Sequence, residues 1–481
     1  MMGKSVESLL SLDEIIEATG GIHVMGQVDG DNGFCFTSVH TDSRDIVEKS
    51  LFVPLVGEFQ DGHKYIPQAA EKGASVVFIR MSNYENDGDF FKNISLEYPR
   101  VVFIAVENTM HALQDAAAKY VEKFPHLMRV GITGSSGKTT TKEILVSILS
   151  QKYSVVSNPG NLNSETGLPL SVFGIRKEHQ VGVFEMGMNR HNEMGEISAV
   201  LKPRFAIITN IGTAHIGNLG SRENIAIEKG QIFDHFHGFG TAVIPRGDDF
   251  ADFLADNVEG KVVFYGEGED PSVKFVADLG LDGTEFSVDG KKCVLPLPGK
   301  YNFGNALGAI ALAKVLGLDS SSIVDGIQSM KPMFGRSQVI KGIYTVVQDC
   351  YNANPDSMEK SIDFISSVTC RPGQKKILVL GDMLELGESS ADEHRKAGLQ
   401  AAKSGASMVV FVGHEMKNAL DSFREKNSSA ISLHFEGHSD SDIENAVGEI
   451  RNRAGEGDIV LVKASRGMGL ERVTERLLEE K

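Results

Sequence analysis

The stretch Arg129-Val-Gly-Ile-Thr-Gly-Ser-Ser-Gly-Lys-Thr-Thr-Thr-Lys142 holds the residue types that grip a triphosphate. Residues 130–133 read as the end of a buried strand, 134–137 as a tight loop, and 138 onward as a helix with Ile144, Leu145, Ile148 and Leu149 at helical spacing. Such a loop turns several backbone N–H groups into one concavity at a helix N-terminus, where phosphate oxygens meet donors and a favourable dipole. Lys138 then reaches the β- and γ-phosphates, and the Thr139 hydroxyl stands where Mg²⁺ is usually held. The form is T-G-x-x-G-K-T, which departs from the strict G-x-x-x-x-G-K-[ST] pattern because Ile132 takes the place of the first glycine. A Gly/Ser turn before an amphipathic helix would look similar. The strand before and the helix after are what a phosphate loop requires, so the stretch predicts nucleotide binding.

Three further places carry chemistry. Glu185 ends an apolar run within Phe-Glu-Met-Gly-Met, where it could serve a hard cation that prefers oxygen donors or simply cap the chain. His215 closes Asn210-Ile-Gly-Thr-Ala-His215, and taken alone it fits a hydrogen-bonded structural histidine as readily as a ligand. Thr41, Asp42, Ser43 and Arg44 are four successive polar residues, which could bind an anionic or sugar-bearing ligand or form a turn with an Asp cap.

The elements that must position these groups are strands and helices in alternation. The chain has 481 residues, more than one hydrophobic core usually serves. Its 48 basic and 65 acidic residues give a net charge of -17, which opposes nonspecific binding to nucleic acid or anionic membrane. Cysteines 35, 293, 350 and 370 form no C-x-x-C pair, consistent with a reducing cytosol and no structural zinc. Residues 1–20 read as an amphipathic acidic helix rather than a signal peptide, and no segment approaches a membrane span.

The predicted fold class is α/β with three domains. Residues 1–127 form a small α/β unit with strands near 50–55, 74–79 and 100–105, a glycine-marked loop at 57–63 and an exposed acidic excursion at 84–98. Residues 128–332 form a central phosphate-loop domain with a largely parallel sheet (strands 130–133, 181–185, 205–209, 242–244), hairpin strands at 273–277 and 284–288, and an Ala-rich helix after Asn305. Residues 333–481 repeat the alternation with strands 344–348, 376–380, 408–412 and 458–462, a Rossmann-like domain without a phosphate loop. It carries Lys463-Ala-Ser-Arg-Gly-Met-Gly469 at a strand's carboxyl end.

Thr133-Gly-Ser-Ser-Gly-Lys-Thr139, Gly160-Asn-Leu-Asn163 with Gly167-Leu-Pro169, Glu185-Met-Gly187 with Gly195-Glu-Ile197, Thr213-Ala-His215, Lys229-Gly230, Asn305-Ala306, Gly335-Arg336 and Asp349 together resemble the Mur ligases. Within that family, Tyr351-Asn-Ala-Asn-Pro-Asp-Ser-Met358 and Leu380-Gly-Asp-Met-Leu-Glu-Leu-Gly387 look most like the branch that adds D-alanyl-D-alanine.

The resemblance implies an ATP-dependent amide ligase of cytoplasmic peptidoglycan precursor synthesis. Its domains would bind, in order, a UDP-sugar, ATP and the dipeptide. Its substrates would be UDP-N-acetylmuramoyl-tripeptide and D-alanyl-D-alanine, with no nucleic acid or membrane partner, and it would act as a monomer. Carried over by motif, Gly134, Ser135, Ser136, Gly137, Lys138, Thr139, Thr140, Asn305, Arg336 and Asp349 would hold ATP. Thr41, Asp42, Ser43, Arg44, Asn161, Asn163, Tyr351, Asn352 and Asn354 would hold substrate. Two Mg²⁺ ions would rest on Thr139, Glu185, His215 and Lys229, the last as a carbamate formed with CO₂, and Lys138, His215 and Lys229 would be catalytic. Without the resemblance, Lys229 reads as a surface lysine beside an exposed Glu228. Ser164 departs from the family's usual second Asn of Asn-x-Asn-Asn. The alternatives are a related ligase adding one amino acid to the precursor or glutamate to folate, and a phosphate-loop switch ATPase.

Overall fold

The computed structural model describes residues 8–28, 34–57 and 59–479. Residues 1–7 of the expected N-terminal helix and Glu58 of the 57–63 loop lie outside the described residues. The helix itself runs Leu12–Thr19 and starts at a reciprocal cap, in which Ser11 and Glu14 each accept from the other's backbone N–H. The chain divides into two compact units. One is drawn from Met1–Gly131, Ser154–Met188 and Asn192–Arg204, the other from Ile132–Tyr153, Asn189–His191 and Phe205–Lys481.

In the first unit, five strands lie in the order Ile22–Met25, Val102–Val106, Ala74–Arg80, Ser50–Phe52, Ser38–His40. Only the first pair is antiparallel. The apolar runs that announce the middle three are fully or nearly buried, whereas the two edge strands are short and half-exposed, so no apolar run marks them. Segment 84–98 is not an excursion. Helices Met81–Asn86 and Gly88–Glu97 cover it, because the Asp87 side chain caps the second through Phe90 N while Phe91 and Ile94 enter the core. The same unit holds the parallel pair Val155–Ser157 and Val181–Glu185, and helix Thr109–Glu122 packed on helices Gly167–Val172 and Glu193–Leu201.

Strand Met128–Thr133 begins in the first unit and ends in the second. There, Phe205–Ile208, Gly240–Pro245 and Gly260–Tyr265 run parallel. Helix Lys138–Leu149 packs on Lys300–Val315 and Ser320–Gln328, and Val273–Asp278, Thr284–Val288 and Lys291–Leu295 form a three-stranded antiparallel sheet.

The C-terminal sheet has the order Gln338–Lys341, Thr345–Asp349, Ile459–Lys463, Lys376–Gly381, Met408–Val412, Ile431–Phe435. All its neighbours are parallel except the first pair. Apolar clusters cover both faces, which is why its central strands read as continuous apolar runs. Strand order reverses around Ile459–Lys463, and ligands of such sheets bind at the carboxyl ends beside that reversal.

Candidate active site

The phosphate loop is shaped by what crowds it. Gly134 has φ +148° and Gly137 φ +79°, and a Cβ on the first would stand 1.8 Å from Thr209 Oγ1, on the second 2.3 Å from Asn305 Oδ1. Only glycine fits either place, so the backbone can approach a ligand where any side chain would intrude. The loop's polar atoms are held from behind: Ser136 N donates to Asn210 Oδ1 (3.1 Å), Thr209 Oγ1 donates to Ser136 O (2.6 Å), and Ser135 Oγ accepts from Gly212 N (2.9 Å). Helix Lys138–Leu149 starts at Gly137 with no side-chain cap. Lys138 Nζ donates to Gly134 O at 2.8 Å, folded over the loop it would leave to meet phosphate. A cradle that a Cβ would fill, at a helix start, fits a nucleotide's phosphates. Asn305 is thus brought to the loop, as its motif implied. Thr209 and Asn210, which support the loop, are missed by motif reading, although their place just after a strand was a signal.

The oxygen donors of the first unit are equally fixed. Glu185 is 3 % exposed, and its Oε1 accepts from Asn163 Nδ2 at 2.7 Å. Asn158, which no motif singled out, exchanges both backbone hydrogen bonds with Glu185 and donates to Leu162 O, so it holds the strand end and the 158–163 loop together. Asn161 is exposed, and its carbonyl accepts from Asn163 N. Ser164 accepts from Gly167 N at 3.2 Å, a start-of-helix contact that an Asn would also make. The 41–44 segment is a turn: Asp42 accepts from Arg44 N (2.8 Å) and pairs with its guanidinium, Ser43 donates to Gln68 Oε1, and the Asp42 carboxyl is pulled down to about 2 by that Arg44 contact.

In the second unit, His215 has φ +64° and so does its neighbour in space, Glu385, at +65°. Non-glycine residues rarely adopt this conformation, and such positions cluster at functional sites. His215 Nδ1 lies 3.2 Å from Glu385 Oε2 but is not aligned to donate to it, which leaves a buried ring nitrogen without a hydrogen-bond partner among the described residues. Lys229, on helix Arg222–Gly230, is 1 % exposed and Glu228 2 %. The surface-lysine reading therefore fails. Each unit holds donors of a kind that suits a divalent cation, Glu185 a buried carboxylate in the first, Thr139 a hydroxyl and His215 a ring nitrogen in the second. Among the described residues no cluster of three or more His, Cys, Asp or Glu forms a ready-made metal site.

The start of helix Pro355–Ser367 closes on the phosphate loop and on the stretch that braces it. Asn354 caps helix Pro355–Ser367 through Ser357 N, and its Nδ2 donates to Ser135 O at 3.4 Å. Asp356 Oδ2 accepts from Thr213 N (2.8 Å) and Thr213 Oγ1 (3.2 Å), and a Cβ on Gly212 would stand 2.0 Å from it. Asp349 is occupied within its own sheet, accepting from Ser337 N and Ser361 Oγ and pairing with buried Lys463 at 2.8 Å. Arg336 stacks on Tyr351, 4.1 Å from the ring centroid, and Asn352 O accepts from Lys463. Asp356, Glu385 and Lys463 lie within stretches singled out in the sequence, but no site role was assigned to any of them.

Family models match three successive segments: Mur ligase family, catalytic domain, over residues 36–121; Mur ligase middle domain over 132–313; and Mur ligase, glutamate ligase domain, over 335–466. Each segment is α/β here, so the fold class is α/β in three domains. The chain is 40% identical over 475 residues to UDP-N-acetylmuramoyl-tripeptide--D-alanyl-D-alanine ligase of Treponema pallidum, covering 98% of this chain and 100% of that one. Its fold is similar to a crystal structure of MurF from Acinetobacter baumannii (TM-score 0.84, 29% identity, 98% and 99% covered). It is also similar to MurF ligase from Thermotoga maritima in complex with ADP (TM-score 0.76, 27% identity, 93% and 98% covered).

Proposed function

The chain belongs to the Mur ligase family, and we propose that it joins D-alanyl-D-alanine to UDP-N-acetylmuramoyl-tripeptide while ATP is converted to ADP and phosphate. One observation carries the reading. Of the segment that distinguishes dipeptide-adding members, Asn354 donates to Ser135 O of the glycine-cradled phosphate loop, and Asp356 accepts from Thr213 in the 210–215 stretch that braces it. The single-amino-acid ligase and the switch ATPase find no such support.

A carboxylate is a poor electrophile, so the γ-phosphoryl of ATP passes first to the tripeptide's terminal carboxylate, giving an acyl phosphate. The free amine of the dipeptide then attacks the acyl carbon, and the tetrahedral adduct collapses to amide with phosphate leaving. Both steps gather anions. Lys138, released from Gly134 O, and the loop's backbone donors would stabilise that charge, with no covalent side-chain nucleophile. Mg²⁺, when bound, supplies charge neutralisation between phosphate oxygens. Thr139 and Glu185 would hold one ion, His215 and Lys229 would attend the second. Lys229 is buried, and carbamate formation would require its amine in the neutral form. Asn305, Arg336 and Asp349 would contact nucleotide, the 41–44 turn the UDP-sugar, and Asn161, Asn163, Tyr351 and Asn352 the substrates. The boundaries at 127/128 and 332/333, action as a monomer and a cytoplasmic location belong to the same proposal. No helix among the described residues is long and apolar enough to cross a membrane.

The test is to incubate the protein with ATP, the UDP-linked tripeptide and, separately, D-alanyl-D-alanine, D-glutamate or a diamino acid. Phosphate release is expected with the dipeptide alone. Release with another amine would move the protein to a sister activity, and amine-independent release would favour the switch.

A further inference from the structure

Strands Thr345–Asp349, Ile459–Lys463 and Lys376–Gly381 send their carboxyl ends to the reversal of strand order in the C-terminal sheet. Two cations stand at the end of Ile459–Lys463. Lys463 is buried and committed, with its Nζ 2.8 Å from Asp349 Oδ2 and donating to Asn352 O. Arg466 is different. Its side chain is 55% exposed, its guanidinium lies 5.6 Å from the Phe334 ring centroid and 5.7 Å from that of Tyr351, and Nη1 lies 3.0 Å from Glu471 Oε1. That ion pair engages one of five N–H donors, and no other protein acceptor takes up the rest among the described residues.

The backbone that carries Arg466 is fixed. Ser465 Oγ donates to Ala353 O (3.1 Å) and accepts from Leu384 N (2.9 Å), which ties together the loops after all three strands. Glu471 and the two rings then orient a planar fork beside half-exposed Phe334.

We propose that Arg466 binds the C-terminal carboxylate of the dipeptide acceptor, and so makes a free carboxylate a requirement for the amine substrate. This rests on the ligase reading above. The acceptor offers a reacting amine at one end and an anion at the other, and in a chain of net charge -17 that anion needs a local cation. A guanidinium pairs with a carboxylate through two parallel hydrogen bonds, which a lysine cannot reproduce. The rings of Phe334 and Tyr351 offer apolar surface to the alanine methyls. Glu471 is a positioning residue, since it touches Arg466 and not the acceptor.

The experiment compares D-alanyl-D-alanine with its C-terminal amide in the wild type, Arg466→Gln and Arg466→Lys. The wild type should prefer the free carboxylate by on the order of 10- to 100-fold in kcat/KM, the worth of a hydrogen bond to a charged group. Arg466→Gln should lose most of that preference through a raised KM for the free dipeptide. Its kcat, its KM for ATP and its turnover of the amide should stay near wild type, and Arg466→Lys should fall between. An Arg466→Gln enzyme that keeps the preference, or that loses equally on both acceptors, overturns the assignment while leaving the ligase reading intact. A wild type that releases no phosphate with D-alanyl-D-alanine overturns both.

Discussion

The phosphate loop and the 41–44 turn each follow a strand and each combine small polar residues with one cation, yet they are built in opposite ways. In the loop, Thr209, Asn210 and Asn305 press from behind and leave room only for glycine at 134 and 137. In the turn, Asp42 and Arg44 satisfy each other at the surface. A loop braced from outside keeps its shape, and its one cation is turned back on the loop's own Gly134 O, a contact it can leave for a ligand. A turn that neutralises its own charges must open its ion pair before either partner meets one. Substitutions in the loop should therefore act on ligand binding and chemistry far more than substitutions in the turn.

The largest effects should come from the loop. Gly134→Ala drives a methyl to 1.8 Å from Thr209 Oγ1, so loop and strand must part, and ADP binding measured by calorimetry should fall below detection. Lys138→Ala removes a cation half-exposed over the loop, not a core group. Turnover should drop by roughly 10²–10³-fold, the scale of one oxyanion donor, with an unchanged melting temperature. Near-normal turnover would end the phosphate-loop reading.

Lys229→Ala comes next. Activity should collapse, and short-chain carboxylates should partly restore it by supplying the lost oxygens. A second readout is independent of turnover: ¹³CO₂ should give a carbamate carbonyl signal in the wild type that the variant lacks. A fully active variant, or no such signal, would remove the carbamate.

Asp356→Ala should have a moderate effect, because it removes the acceptor of Thr213 N and Thr213 Oγ1 and leaves that buried-side N–H unpaired. A fall of about 10-fold in kcat is expected, with Asp356→Asn retaining much of the activity because its amide oxygen can still accept. Equal losses in both variants would show that charge, and not the hydrogen bond, matters there.

The central strands and the phosphate loop were legible because buried parallel strands write themselves as apolar runs and glycine marks tight approach. Edge strands such as Ser38–His40 were not, since half-exposed short segments carry little pattern. The helices over 81–97 were hidden behind acidic composition, although Asp87 and the Phe91, Ile94 spacing were there to read. The roles of Asn158, Asp356 and Glu385 were missed for another reason, although the last two lie within quoted motifs. Their partners lie 27, 143 and 170 residues away, and no local spacing encodes such a meeting.

The smallest effect should come from Asp42→Asn. The carboxyl sits at about 2 against an ordinary 3.8, chiefly because Arg44 hydrogen-bonds its charged form. A depressed carboxylate adds stability above the unfolded value and loses it as pH falls through the folded one, so its contribution should be complete by about pH 5 and gone only at about pH 1. The pair is exposed and salt-screened, so a loss of no more than about 1 °C in Tm is expected at pH 7, shrinking in high salt and vanishing at about pH 1. A gap of several degrees that persisted at about pH 1 would show that the turn is held by something other than this charge. Binding of the UDP-sugar should be the more sensitive reading: if Arg44 serves a phosphate, freeing it from Asp42 raises its availability. Asp42→Asn would then change affinity while barely moving Tm, and equal small effects on both would reduce 41–44 to the capped turn its geometry already makes.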